Sequence, residues 1–263
     1  PMRTYRLVPL LLLIAACAAP PPQPSPGAGP PMAARKPFQV ESPNGARQDE
    51  YYWLRDDTRQ SPEVLAYLNA ENAYADAMLV AVPGGIHPAA VASLSDNLPD
   101  AWRTVGPQLE AEPGAPVLIC AGAGSIALYA AAIALARGAE RVDFAGGRPF
   151  ERDLAGRLGA NLLEAAFPKR LGPYPITVDA SANVDGLGCA LRSTEPDGVC
   201  TSIGIYFAEQ TPVPLLEMYT KGIRFETGRV HARPAIEPIL DLVRDGRFEP
   251  QLVTRETATW EDA

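Results

Sequence analysis

The chain has 263 residues, 47% of them hydrophobic and 21% charged, which is enough apolar material for one large domain or two small ones. Its formal net charge of −8 excludes binding along a nucleic-acid backbone, which needs a basic face, but leaves room for a local cationic pocket. Two histidines (His87, His231), four cysteines and no C-x-x-C pair give no ligand cluster for a closed zinc site, so no metal is expected.

Met2 to Ala16, MRTYRLVPLLLLIAA, opens with Arg3 and Arg6 and continues as an apolar run too short to span a bilayer. Ile14-Ala15-Ala16-Cys17 resembles the bacterial lipobox, in which cleavage frees a cysteine for acylation. A signal peptide is therefore expected over residues 1–17, with acylated Cys17 as the one membrane attachment of a lipoprotein on the periplasmic face. Residues 18–37 include PPPQPSPGAGPPMAARKP, an extended proline-rich linker that cannot build a core.

Residues 38–80 contain YYWLRDDTRQSPEVLAYLNAENAYADAML. Val64, Leu65, Leu68, Ala73 and Leu79 recur near helical spacing, and Ser61-Pro62-Glu63 fits an N-cap followed by a first-turn proline. One helix is predicted from Pro62 to about Val80. Tyr51-Tyr52-Trp53-Leu54-Arg55-Asp56-Asp57, Val64-Leu65-Ala66-Tyr67-Leu68 and Glu71-Asn72 resemble the amino-terminal start of the oligopeptidase B branch of the prolyl oligopeptidase family. That resemblance implies a catalytic serine, aspartate and histidine in a distant hydrolase domain, which these residues do not supply. The nearest string to a nucleophile elbow, Ala123-Gly124-Ser125-Ile126-Ala127, lacks the flanking glycines. Asp56 and Asp57 are adjacent, so their side chains diverge and a solvated turn is expected rather than acid–base work.

From residue 81 the pattern alternates between apolar strands and helices. Pro116 to Ala121 fits a strand buried on both faces. The turn Gly122-Ala123-Gly124-Ser125-Ile126-Ala127 follows, then a helix from Ser125 to Arg137 closed by Gly138, then a strand over Val142 to Ala145. Strand, glycine turn, helix and strand in one unit is the context of a dinucleotide-binding motif. Gly122 permits the tight turn, Gly124 lets backbone approach a pyrophosphate, and the helix N-terminus offers N–H groups and a positive dipole. Further strands are predicted at 161–163, 176–180, 199–206 and 223–227, and helices at 150–158, 185–193, 213–220 and 233–244. This alternation predicts an α/β fold with a doubly wound parallel sheet. Cys120 and Cys200 fall in strands and are expected to be buried, inert thiols.

SDNLPDAWRTVG at Ser95 to Gly106, the glycine turn, ERDLAGRLGA at Glu151 to Ala160, VDASA at Val178 to Ala182 and TSIGIY at Thr201 to Tyr206 resemble the zinc-type, medium-chain alcohol dehydrogenase family. The resemblance covers about 81–263 and implies its nucleotide-binding half, a Rossmann domain over 81–228 with a C-terminal helix and shortened return segment over 229–263. It implies that Gly122, Gly124, Ser125 and Ile126 line the pyrophosphate, that Ala180 and Ser181 flank the adenosine, and that Ile203 to Ile205 pass the nicotinamide. The strand at 223–227 becomes a dimer edge. The family's position matching Gly146 holds a ribose-binding aspartate in NAD users. Gly146 and Gly147 remove that charge and Arg148 adds a forked cation suited to phosphate, so NADP is expected over NAD. Asp143 is the rival ribose acid; its alternative role is a locally bonded strand residue.

No catalytic residue is assigned. The zinc-binding catalytic domain implied by the resemblance has no counterpart here, and His231 in GRVHARP is expected to be structural rather than a proton shuttle. The expected function is an NADP(H)-binding domain of an alcohol dehydrogenase-like oxidoreductase, weakly active or inactive alone. Such a part by itself would be cytoplasmic. The alternative is a membrane-anchored fragment of a prolyl oligopeptidase-type peptidase. Likeness to two families predicts a composite chain joined near Val80 to Gly84.

Overall fold

The computed structural model of the protein describes residues 29–122, 124–164, 166–259 and 261. The signal segment, Cys17 and most of the proline-rich linker lie outside the described residues. No helix among the described residues is long and apolar enough to cross a membrane. The described chain forms two compact units that part between Leu79 and Val80.

The first unit is small. Strands β1 (Phe38–Val40) and β2 (Arg47–Asp49) pair antiparallel, a 3-10 turn spans Tyr52–Leu54, and helix α1 runs over Pro62–Met78. Aromatic contacts substitute for an aliphatic core. Phe38 stacks on Tyr52 with centroids 4.5 Å apart, and Trp53 meets Tyr67 edge-on at 6.0 Å. The Trp53 indole N–H donates to the Ala34 carbonyl at 2.7 Å, and the Lys36 ammonium lies over the same ring. Asp56 accepts from the Thr58 hydroxyl and from the Ser61 N–H, both at 2.7 Å, while Asp57 pairs with Arg55. Both carboxylates are thus spent on the turn before α1. Ser61 sits at the N-cap as expected, but its hydroxyl makes no capping bond. Of the apolar residues that predicted this helix only Val64 is buried; Leu65, Leu68 and Leu79 stay exposed. Helical spacing was a correct guide to the helix and a poor one to a buried face.

The second unit opens with α2 (Pro88–Val91) and α3 (Asn97–Ala111), and its sheet begins with β3 (Val117–Ala121). It continues through α4 (Ser125–Ala136), β4 (Val142–Gly146), α5 (Pro149–Arg157), β5 (Asn161–Leu162) and β6 (Tyr174–Ala180). Helix α6 (Val184–Ser193), β7 (Thr194–Ser202), α7 (Leu215–Lys221), β8 (Arg224–Thr227) and α8 (Ala232–Arg244) complete it. The six strands are parallel in the order β5-β4-β3-β6-β7-β8. The chain works outward from β3 through β4 to β5, then returns to the other side of β3 and works outward again. This is the doubly wound Rossmann arrangement, and its reversal between β3 and β6 opens a crevice at the carboxyl ends of those strands.

β3 is buried along its whole length, and its side chains alternate between two cores. Val117, Ile119 and Ala121 join α3, α4 and α8 on one face; Leu118 and Cys120 join α6 on the other. Cys120, Cys189 and Cys200 are free and buried. Burial pushes the Cys200 thiol up to about 12, and Cys120 is raised by its hydrogen bond with Cys189 and by burial, which leaves both inert.

Helix α3 and the carboxyl end of strand β7 depart from the sequence-based expectation. Helix α3 was not predicted, because Gly106 and Pro107 stand inside it. The Trp102 ring lies in the space that a Cβ on Gly106 would fill, so glycine is required there. Proline removes the N–H that would have bonded the Arg103 carbonyl, and the Gln108 amide donates to that carbonyl instead at 3.0 Å. Strand β7 was predicted to run to Tyr206 but ends at Ser202. Ile203 to Tyr206 leave the sheet as a loop, held by the Tyr206 hydroxyl, which donates to Asp179 at 2.7 Å.

Because Ile119 is fully buried at the centre of this sheet, Ile119→Ala should lower the unfolding free energy of the second unit by about 2–5 kcal/mol in urea titrations. The exposed Leu216→Ala should change it by less than about 0.5 kcal/mol. Equal effects at the two positions would contradict this assignment of the core.

Candidate functional site

The crevice begins where β3 meets the glycine turn. Gly122 donates its N–H to the Ala180 carbonyl at 2.9 Å, and a Cβ on it would come within 2.5 Å of the Ser181 carbonyl oxygen. Glycine at 122 therefore lets the ends of β3 and β6 close together. Gly124 has the opposite surroundings. Its φ is +129°, which disfavours any L side chain, and a Cβ there would meet nothing within 4 Å. Backbone is thus exposed to open space at the N-terminus of α4. No side chain caps this helix, so its first-turn N–H groups and positive dipole face the crevice. The Asn97 amide at the start of α3 donates to the Ser125 hydroxyl at 2.9 Å and orients it.

Two cavities meet at Gly124 and Ser125. One of about 380 Å³ is lined by Gly124, Ser125, Ile126, Ala180, Ile203 and Ile205, with Phe207 at its edge. The other, of about 170 Å³, holds Arg148, Phe150, Glu151 and Arg255. Ser181 lines neither. It is buried beneath the crevice, where its hydroxyl donates to Asp179 at 2.6 Å and accepts from the Asn183 N–H at 3.1 Å.

Gly146 and Gly147 close β4 with φ near +79° and +78°. The Gly147 N–H donates to the Ala121 carbonyl at 2.8 Å. The space that a side chain on Gly146 would occupy is filled by the Phe167 ring and the Ala121 carbonyl. No acidic side chain can therefore stand at 146 with this backbone. The space beside Gly146 is therefore occupied by Phe167 rather than open to a ligand. Asp143 faces away from the crevice on the opposite side of β4. It is 2% exposed and accepts from Arg141, Asn161 and Tyr174, each at 2.7 Å. Its local bonding is complete, and burial with this carboxylate pushes the Tyr174 hydroxyl up to about 12.

Arg148 stands at the N-cap of α5, and its Nε donates to both Glu151 oxygens at 3.1 and 3.2 Å. The guanidinium side chain is 63% exposed, whereas that of Glu151 is 3% exposed. The Arg148 hydrogen bond holds the Glu151 carboxyl below the usual carboxylate range against the opposing effect of burial, with a smaller contribution from the Gly124 backbone. Part of the positive charge that the sequence promised is therefore neutralised within the protein. The i, i+3 spacing of Arg148 and Glu151 was the available signal.

Asp179 also went unnoticed in the sequence. It is fully buried at the end of β6 and accepts from the Ser181 hydroxyl and N–H, the Ser202 hydroxyl and the Tyr206 hydroxyl. Burial and this carboxylate push the Tyr206 hydroxyl well above its ordinary range. The network fixes the ends of β6 and β7, and with them Ala180 and Ile203, as the crevice floor. His231 is exposed ahead of α8 and lines neither cavity; His87 caps α2 by accepting from the Ala89 N–H at 3.2 Å. No group of three or more histidine, cysteine or acidic side chains among the described residues is arranged to hold a metal.

Known proteins resemble the two parts of the chain separately. A family model for the prolyl oligopeptidase N-terminal beta-propeller domain matches residues 30–86, running past Leu79 into the start of the second unit. The dipeptidyl aminopeptidase BI of Pseudoxanthomonas mexicana is 64% identical over 53 residues, which is 20% of this chain and 7% of that protein. Among solved structures, the alcohol dehydrogenase TADH from Thermus sp. ATN1 aligns with a TM-score of 0.56 at 23% identity, over 65% of this chain and 52% of that one. Acetophenone reductase from Geotrichum candidum, solved with NAD, aligns at 0.56 and 21% identity over 65% and 50%. A zinc-binding dehydrogenase from Sinorhizobium meliloti, solved with NADP, aligns at 0.53 and 17% identity over 68% and 59%. The chain spans little more than half of these dehydrogenases and a small fraction of the peptidase. The first part is similar in sequence to a peptidase N-terminal domain, and the rest is similar in fold to the Rossmann halves of these dehydrogenases.

Proposed function

We propose that the second unit is the nucleotide-binding half of an alcohol dehydrogenase-like oxidoreductase and that it takes NADP in preference to NAD. The observation that carries this is the open approach at Gly124, which leads to the uncapped N-terminus of α4 where the two cavities meet. The residues present fit a dinucleotide. Backbone N–H groups at 124–126 would hold the pyrophosphate, Ala180 would flank the adenosine, and Ile203 to Ile205 would offer an apolar wall to the nicotinamide. Preference for NADP follows from two features. No carboxylate can project from Gly146, and Asp143 is satisfied elsewhere, so nothing in the β4 turn replaces the acid that would repel a 2′-phosphate. Arg148 stands at the rim with part of its guanidinium free.

A bound nicotinamide supplies or accepts a hydride; the chain's own residues bind and orient it, and no proton transfer is assigned to any of them. Activity on a carbonyl or alcohol would need a substrate-holding partner, so weak or absent turnover by this chain alone is part of the proposal. The proposal extends to Cys17 as a lipid anchor, to β8 as an edge for pairing with a second copy, and to a seam near Val80 to Gly84. The place of β8 at the sheet edge, with all four of its residues exposed, supports the pairing. The peptidase-fragment alternative is favoured by residues 30–86 alone.

Titration of the whole chain with NADPH and NADH tests the reading. NADPH should bind at least about tenfold more tightly, the equivalent of roughly 1.4 kcal/mol. Binding of neither would overturn the proposal, and equal binding would overturn the NADP preference. Gly124→Ala should weaken both cofactors by about tenfold or more, because a methyl group enters the approach at a strained φ.

A further inference from the structure

The smaller cavity contains two guanidiniums and one carboxylate, and these are not equivalent. Glu151 is buried, so its carboxylate cannot swing away, and Arg148 is bound to it through Nε and a terminal nitrogen. The second guanidinium is that of Arg255, in the segment after the 3-10 turn Pro250–Val253. Among the described residues Arg255 has no ion-pair partner. It lies over the Phe150 ring, 5.7 Å from its centroid. A cation–π contact uses the face of the guanidinium and leaves its N–H edge free to donate.

We infer that Arg255 is the residue that sets phosphate selectivity in this crevice: it supplies the uncompensated charge for the 2′-phosphate of the dinucleotide, with Arg148 as its partner on the other side. The inference rests on the dinucleotide reading above. A phosphate monoester carries close to two negative charges at neutral pH and is best held by more than one guanidinium fork. Arg148 alone brings a neutral pair to the site. Adding Arg255 leaves one net positive charge beside Gly124 and Ser125, in the cavity that continues from the pyrophosphate turn. Phe150 fixes where that charge stands, because its half-exposed ring supports the guanidinium from below. Local sequence carries no hint of this, since Arg255 lies more than a hundred residues from Arg148.

The test is titration of the whole chain and of Arg255→Ala and Arg255→Gln with NADPH and with NADH, each variant first checked for an unchanged melting temperature. Loss of one charge-assisted contact should weaken NADPH by about tenfold or more and leave NADH unchanged. Equal weakening of both cofactors would assign Arg255 to the pyrophosphate or to folding and overturn the inference. No change in either would make it a bystander. If the unsubstituted chain binds neither cofactor, the dinucleotide reading fails first and the inference falls with it; if it binds NADPH and the variants bind it equally well, the inference alone fails.

Discussion

The second unit depends on how the chain leaves β3. Within three residues it must pack backbone against backbone and then open to solvent. Gly122 does the first: its missing side chain lets β3 and β6 close to a carbonyl contact with Ser181. Gly124 does the second, at a φ that favours glycine and with nothing beside it. A larger residue at 122 would separate the two central strands at their carboxyl ends. One at 124 would cover the end of α4. The crevice exists because both constraints are met in one turn at the point where the strand order reverses.

Its walls are fixed by two buried carboxylates. Asp179 draws Ser181, Ser202 and Tyr206 together and so sets the ends of β6 and β7. Glu151 takes up part of the charge of Arg148 while sitting near the Gly124 turn. Buried charges of this kind persist because their hydrogen bonds are satisfied, and removing one partner costs more than the pair contributes. The crevice is therefore a rigid floor with a tuned rim, and the balance of charge at that rim decides which anion it accepts.

Much of the fold was legible because strands buried on both faces read as short apolar runs and because Gly138, at positive φ, marks a helix end. Helix α3 was not legible. Its Gly106 and Pro107 are local breakers whose costs are offset only by the Trp102 ring and the Gln108 amide. The end of β7 was misplaced because Ile203 and Ile205 continue an apolar pattern, while Tyr206 is pulled back by a carboxylate 27 residues earlier. Among the site residues, Gly122 and Gly124 were legible from spacing, since their task is local. Glu151, Asp179 and Arg255 were not, because burial and charge pairing are decided by segments brought together only in the folded chain. In the first unit the helix was legible and its packing was not, since aromatic stacking carries no period.

The central claim is that the N-terminus of α4, reached through Gly124, is the anion-binding end of a dinucleotide crevice. The most direct test is amide NMR of the isotope-labelled chain as NADPH is added. The account predicts the largest shifts at the amides of 124–126, with smaller ones at Ala180 and at 203–205 across the crevice. Unchanged amides at 124–126, with shifts elsewhere or nowhere, would contradict it and leave the glycine turn as architecture alone.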